Sequence, residues 1–251
     1  MHPSSRHTAV PNPQNIYDDP VFFESYERLR RNGTGLNDAL EQPALWSLLP
    51  PLGGLRVLDL GCGFGDFARK ARAAGARAVL GLDVSEKMLA RARALTDDPS
   101  ITYRQGSIER LDLDGRFDLV VSSLTLHYVA DYAAAVVRIT RLLDPGGAFV
   151  FSVEHPICTA RAEQKWVRDQ DGTPLYWPLD DYAAEGPRST RWFVDGVIKH
   201  HRTVETYVTD LLKAGLALRA LREPVPVADA VLPDADLHAR RPPVLVLAAT
   251  R

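Results

Sequence analysis

The chain has 251 residues, 45% of them apolar and 25% charged, with a net charge of −2. That is enough for one α/β domain with a lid or insertion, and the near-neutral balance offers no electrostatic footprint for nucleic acid. The two distant cysteines, Cys62 and Cys158, exclude a disulfide framework or a zinc spacing, and no apolar run approaches a membrane span or a signal core, so the chain reads as cytoplasmic.

Residues 1–15 are rich in Pro, Ser, Asn and His and read as a disordered N-terminus. From Ile16 the pattern changes. A helix starts at Asp19 or Pro20 with Phe22, Phe23, Tyr26 and Leu29 on one face, and G-T-G stops it. A second helix is expected over Asn37 to Leu49, completing a helical segment over 16–52.

The main domain is expected over 53–155 and 203–251. It opens with R-V-L-D-L-G-C-G-F-G-D at 56–66: a buried strand, a glycine turn, then a helix from Asp66. Strand, glycine turn and helix N-terminus form a nucleotide site. The spacing is G-x-G-x-G, however, and Asp66 stands where the dinucleotide fingerprint wants its third glycine. With Asp59 nearby the turn is acidic, which is wrong for a pyrophosphate. It suits S-adenosylmethionine, which carries a sulfonium and an ammonium group. Asp59, Gly61 and Gly63 are the candidate contacts.

The second strand, A-V-L-G-L-D, ends at Asp83, 18 residues after Gly65. An acidic residue there accepts hydrogen bonds from both ribose hydroxyls of an adenosine, with Val84 beside it. Ser85 caps the next helix, and Met88 in its first turn can cover an adenine ring. A third strand runs over 101–107. The fourth, F-D-L-V-V-S-S at 117–123, is apolar throughout, as for a parallel strand buried on both faces. Ser123, His127 and Tyr128 follow it at the sheet edge where ligands bind. Asp131 caps a helix to Leu142, D-P-G-G turns the chain, and a fifth strand over 148–153 delivers Glu154 and His155 to the same edge.

These segments resemble the class I S-adenosylmethionine-dependent methyltransferases. V-L-D-L-G-C-G-F-G is similar to their first motif and G-L-D-V-S-E-K-M-L to their second. The stretches at 117–129 and 142–153 are similar to their later strands. Y-D-D-P-V-F-F and S-V-E-H-P-I resemble a small bacterial branch of the type 11, ubiquinone-biosynthesis-like kind. The resemblance implies a doubly wound, seven-stranded Rossmann-like sheet and an N-terminal lid closing over the cofactor, which makes Tyr17 and Tyr26 candidate contacts. It also implies adenine contacts at Ser107 and Ile108. Ser107 stands where the family often has an acidic residue.

Residues 156–202 fit no strand–helix unit. Their aromatics suggest an insertion capping the acceptor, with V-D-G-V as a hairpin turn and Tyr176, Trp177 and Trp192 beside Tyr128 as substrate-binding candidates. A helix from Val204, a sixth strand over 216–223, the loop P-V-P-V-A-D-A-V-L-P-D and a last, antiparallel strand over 243–250 complete the chain.

Methyl transfer needs nucleophile, methyl carbon and sulfur in line. A base is the other need of many acceptors, and His127, Glu154, His155 and His201 are the candidates. No metal set appears, and S-S-L-T at 122–125 replaces the N-P-P-Y of adenine-amino methylation. The reading is a methyltransferase of specialised metabolism, acting as a monomer or homodimer on a small aromatic or heteroaromatic acceptor at carbon, nitrogen or oxygen. A non-catalytic module binding S-adenosylmethionine or S-adenosylhomocysteine is the alternative. A nicotinamide-dependent dehydrogenase is disfavoured by Asp66.

Overall fold

In a computed structural model, residues 13–32, 35–226, 232 and 234–251 are described. Helix α1 spans Pro20–Asn32. Where one helix was expected over 37–49, the chain makes a π-helical turn, Asn37–Glu41, and then α2, Gln42–Trp46. Pro43 has no N–H to donate to an α-helical ladder, and the wider turn before it absorbs the mismatch.

The central sheet follows from short apolar runs buried on both faces. β1 (Arg56–Leu60), β2 (Ala78–Asp83), β3 (Ile101–Gln105), β4 (Phe117–Ser122) and β5 (Leu143–Glu154) are parallel. β5 is longer than expected, because D-P-G-G is absorbed into the strand with a register irregularity against β4 instead of forming a separate turn. The helices are α3 (Asp66–Ala73), α4 (Glu86–Ala94) and α5 (Tyr132–Leu142), followed by the short α6 (Pro156–Thr159).

Two hairpins follow: β6 (Val167–Arg168) with β7 (Pro174–Tyr176), and β8 (Gly186–Trp192) with β9 (Val194–His201). The second hairpin reverses at Phe193, whose φ is 60°, and V-D-G-V lies on the returning strand, a correction to its expected place in the turn. After α7 (Val204–Lys213) come β10 (Ala217–Arg222), the short α8 (Ala235–Ala239) and β11 (Val244–Thr250). The seven-stranded order is β10-β11-β5-β4-β1-β2-β3, with β11 antiparallel to both neighbours.

Each strand divides its side chains between two cores. Leu58, Leu60, Val120, Phe149 and Phe151 pack with Tyr132, Val136 and Ile139 of α5 and with Tyr207 and Leu211 of α7. Val57, Leu119, Val121, Val150 and Val246 pack with Phe67 and Ala71 of α3 and with Leu45 of α2. Burying each of these large side chains contributes roughly 1.5–3 kcal/mol. The carboxyl ends of β1, β2, β4 and β5 are thereby held at one edge.

Of the segment expected as a disordered N-terminus, residues 1–12 lie outside the described residues. Gln14 is bonded in both directions to the backbone of Ile198, at 2.8 and 3.3 Å. Residues 33–34 of the expected helix stop, and 227–231 and 233 of the late loop, also lie outside the description.

Candidate functional site

A cavity of about 510 Å³ runs along the carboxyl edge of the sheet. Its first half is built from the turn after β1. Gly61 has φ 75°, and a Cβ there would lie 2.2 Å from Thr125 Oγ1. Gly63 has φ 52°, and a Cβ there would meet nothing within 4 Å, because the position faces the cavity. Glycine is thus required at both positions by a backbone that L side chains disfavour, and at Gly61 by contact as well.

The Gly63 amide donates to Asp83 Oδ2 at 2.9 Å, and the Ser85 amide donates to Oδ1 at 3.0 Å. These bonds fix the carboxylate at the end of β2, facing the glycine turn. Ser85 caps α4 as expected, accepting from the Met88 amide at 3.1 Å. Asp59 lies deeper, only 2% exposed, and its Oδ2 has no hydrogen-bond partner. Burial, with the neighbouring charges of Asp83, Asp66 and Glu41, pushes its pKa up to about 8. Asp59 in β1 and Asp83 at the end of β2 flank the glycine turn and make a locus for positive charge.

Val84, Met88, Ser107 and Ile108 line the adjoining wall. The Ser107 hydroxyl accepts from the Glu109 amide at 3.1 Å and caps a short turn. The roof comes from the N-terminal segment. Asp18 Oδ1 accepts from Ser85 Oγ at 2.6 Å and from the Lys87 amide at 3.3 Å, which seats Tyr17 over the cavity. The Tyr17 ring meets those of Tyr26, Tyr128 and Trp192 edge-on, at 5.4, 6.3 and 6.5 Å between centroids.

The second half of the cavity is lined by His127, Tyr128, Glu154, Gln164, Trp177 and Arg241. Glu154 is bonded to Lys199 Nζ at 2.5 Å and to Gln164 Nε2 at 3.0 Å. Burial raises its pKa, but Lys199 and His127 outweigh that, and the carboxyl is held below its ordinary value. His127 Nδ1 lies 3.4 Å from the Glu154 amide and is placed to accept from it. Burial outweighs the opposing charge of Glu154 and lowers the pKa of His127 to about 4. The neutral ring then carries its proton on Nε2.

Three expected residues stand apart from the cavity. His155 caps α6, accepting from the Ile157 amide at 3.2 Å, and its Nε2 lies 2.7 Å from Glu223. His201 is fixed between Thr159 Oγ1 and the Tyr182 carbonyl, each at 2.9 Å. Both rings have their nitrogens engaged by local structure, and neither lines the cavity. Tyr176 sits on β7 with 56% exposure and does not line the cavity. Trp177 does line it, its indole N–H donating to the Ile157 carbonyl at 2.9 Å.

Sequence reasoning missed Glu41, Lys199, Gln164 and Arg241. Glu41 is fully buried and accepts from Ser152 Oγ at 2.5 Å, Ser123 Oγ at 2.9 Å and Gln42 Nε2 at 2.8 Å. It ties the N-terminal helices to the ends of β4 and β5, and the Ser123 hydroxyl is engaged in that tie. Lys199 had a legible signal: Val197, Lys199 and His201 alternate inward on β9, at 0, 3 and 1% exposure. Among the described residues no group of three or more His, Cys, Asp or Glu side chains is placed to hold a metal ion, and no helix is long and apolar enough to cross a membrane.

Residues 58–151 match a family described as a methyltransferase domain. The chain is 48% identical to the S-adenosylmethionine-dependent methyltransferase of Mesorhizobium loti, with a TM-score of 0.79 over 86% of this chain and 100% of that one. It is 33% identical over 222 residues to an uncharacterized protein of Haemophilus influenzae, covering 85% of this chain and 87% of the other. The malonyl-[acyl-carrier protein] O-methyltransferase of Pectobacterium atrosepticum is 38% identical over 130 residues, and this match spans only 50% of that protein.

Proposed function

The chain belongs to the S-adenosylmethionine-dependent methyltransferases, and on that premise we propose that its methyl acceptor is a small metabolite carrying an aromatic or heteroaromatic ring. The observation that carries this reading is the edge-on collar of Tyr17, Tyr26, Tyr128 and Trp192 between the two halves of one continuous cavity. Faces and edges of aromatic side chains favour another flat ring between them.

The residues of the first half fit the cofactor. Asp83 would hold the ribose hydroxyls, and Met88 and Ile108 would enclose the adenine with Val84 and Ser107 at its edge. The open face of Gly63 and the unpartnered Oδ2 of Asp59 suit the amino acid end. Tyr17 and Tyr26 close the roof over it. The cofactor supplies an electrophilic methyl group on a sulfonium.

In the second half, Glu154 is kept ionised by Lys199 and accepts a hydrogen bond from an N–H or O–H of the acceptor, pushing electron density toward the attacked carbon, nitrogen or oxygen. His127, with Nδ1 engaged, donates from Nε2 and orients the acceptor; at a pKa near 4 it is a weak base.

The test is mass-spectrometric detection of product from methyl-labelled S-adenosylmethionine and matched panels of indoles, phenols and aromatic amines against aliphatic amines and acids. Labelled aromatic products are expected. Turnover confined to the aliphatic panel overturns the aromatic reading.

A further inference from the structure

Arg241 lies three residues before β11, whose Val244 pairs with Glu154 at the end of β5. It therefore enters the cavity beside the acceptor half. Its guanidinium carbon lies 3.8 Å from the centroid of the Trp177 ring and 5.7 Å from that of Trp166. A terminal nitrogen sits 2.9 Å from Cys158 Sγ, and the buried Nε has no hydrogen-bond partner. Burial pushes the Cys158 thiol up to about 12, Arg241 opposing, so the sulfur is a neutral neighbour and not a counter-ion.

Among the described residues no carboxylate pairs with Arg241. Glu154, the acidic side chain of the same half, is engaged by Lys199 and Gln164. Neighbouring Arg240 differs: it donates to the carbonyls of Pro174 and Leu175 and stacks on the outer indole of Trp166. One arginine closes a surface turn, and the other brings an uncompensated positive charge to a partly buried, indole-walled recess. An uncompensated guanidinium in a partly buried recess is costly unless a ligand satisfies it, and its fork matches a carboxylate bidentately.

We infer that Arg241, backed by Trp177, is a specificity-determining subsite for a carboxylate on the methyl acceptor, an inference that rests on the small aromatic acceptor proposed above. Glu154 and Arg241 then divide the acceptor between them. Glu154 engages a hydrogen-bond donor of the reacting ring, and Arg241 engages the acid group at the far end. The arrangement rejects cationic acceptors at the Arg241 end and neutral amides by the loss of a charge-assisted pair.

The full chain saturated with S-adenosylhomocysteine would be titrated with benzoate, benzamide and cyclohexanecarboxylate, following tryptophan fluorescence and calorimetric heat. Benzoate is expected to bind about tenfold or more tighter than benzamide. Arg241→Gln should erase that preference while leaving S-adenosylhomocysteine affinity unchanged, which also reports that the variant is folded. Arg241→Lys should keep part of the preference, since charge remains without the fork. Benzoate binding no better than benzamide in the unmodified protein overturns the subsite, as does a preference that survives in Arg241→Gln. Equal, Arg241-dependent binding of benzoate and cyclohexanecarboxylate would uphold the subsite and remove the aromatic acceptor.

Discussion

The two halves of the cavity are made by different means. The cofactor half is built largely by backbone: a glycine turn, strand ends, and the Asp83 carboxylate fixed by the amides of Gly63 and Ser85. The acceptor half is built by side chains brought from far apart. Lys199 reaches Glu154 across 45 residues, and Arg241 reaches Cys158 across 83. A backbone-built site keeps its shape when a side chain is removed and loses only the contact. A side-chain-built site loses its scaffold along with its contact.

Lys199→Met is the harshest test of that contrast. It strands the Glu154 carboxylate and should lower stability by about 3 kcal/mol in denaturant unfolding, the low end for such pairs because the Glu154 side chain keeps 28% exposure. Adding Glu154→Gln should recover most of the loss; no recovery would mean that the pair is not what holds this half together. Asp83→Ala should weaken S-adenosylhomocysteine binding by about 100-fold in calorimetry while unfolding shifts little, since two charge-assisted ribose contacts are lost. An unchanged affinity would remove the ribose role.

Gly61→Ala and Gly63→Ala share the strain of a left-handed backbone, about 1 kcal/mol. Only Gly61→Ala also meets Thr125, so it should be the less stable by about 1–3 kcal/mol. The Gly63→Ala variant should show its damage in cofactor affinity. Equal stabilities would argue that Thr125 moves freely.

A pH titration tests Asp59. With its pKa raised to about 8 it is largely protonated at neutral pH, and a bound ammonium favours the ionised form. Cofactor affinity should therefore rise with pH between 6 and 8, by up to about tenfold per unit, and flatten above. For the ligand-free protein the sign reverses: stability from the neutral carboxyl is present below about pH 4 and is lost as pH rises through 8. The smallest change, Tyr17→Phe, removes only a hydroxyl from the aromatic collar and should alter cofactor affinity by less than about threefold.

The same division explains what the sequence made legible. The place of Asp83, Gly61 and Gly63 at the cavity could be read because local spacing dictates their geometry, and the sheet followed from short apolar runs that serve two cores. His155 and His201 were misplaced because adjacency to a strand end says nothing about orientation: one became a helix cap and the other a clasp between Thr159 and Tyr182. Glu41 was invisible for the converse reason. A glutamate in an amphipathic helix reads as a solvated face until Ser123 and Ser152 arrive from 82 and 111 residues away. Tyr176 and Trp177 are neighbours in sequence, yet only Trp177 turns inward, because its indole is bonded to the Ile157 carbonyl.

The short strap over residues 14–18 grips β9 through Gln14 and the start of α4 through Asp18. It roofs both halves at once, so donor and acceptor share one door. The strap is held by these polar bonds, each contributing about 1 kcal/mol, and by the ring contacts of Tyr17 with Phe22, Tyr26, Tyr128 and Trp192. An acceptor seated beneath the aromatic collar would rest against the same strap that covers the cofactor half, so ordered product inhibition is the kinetic signature to look for.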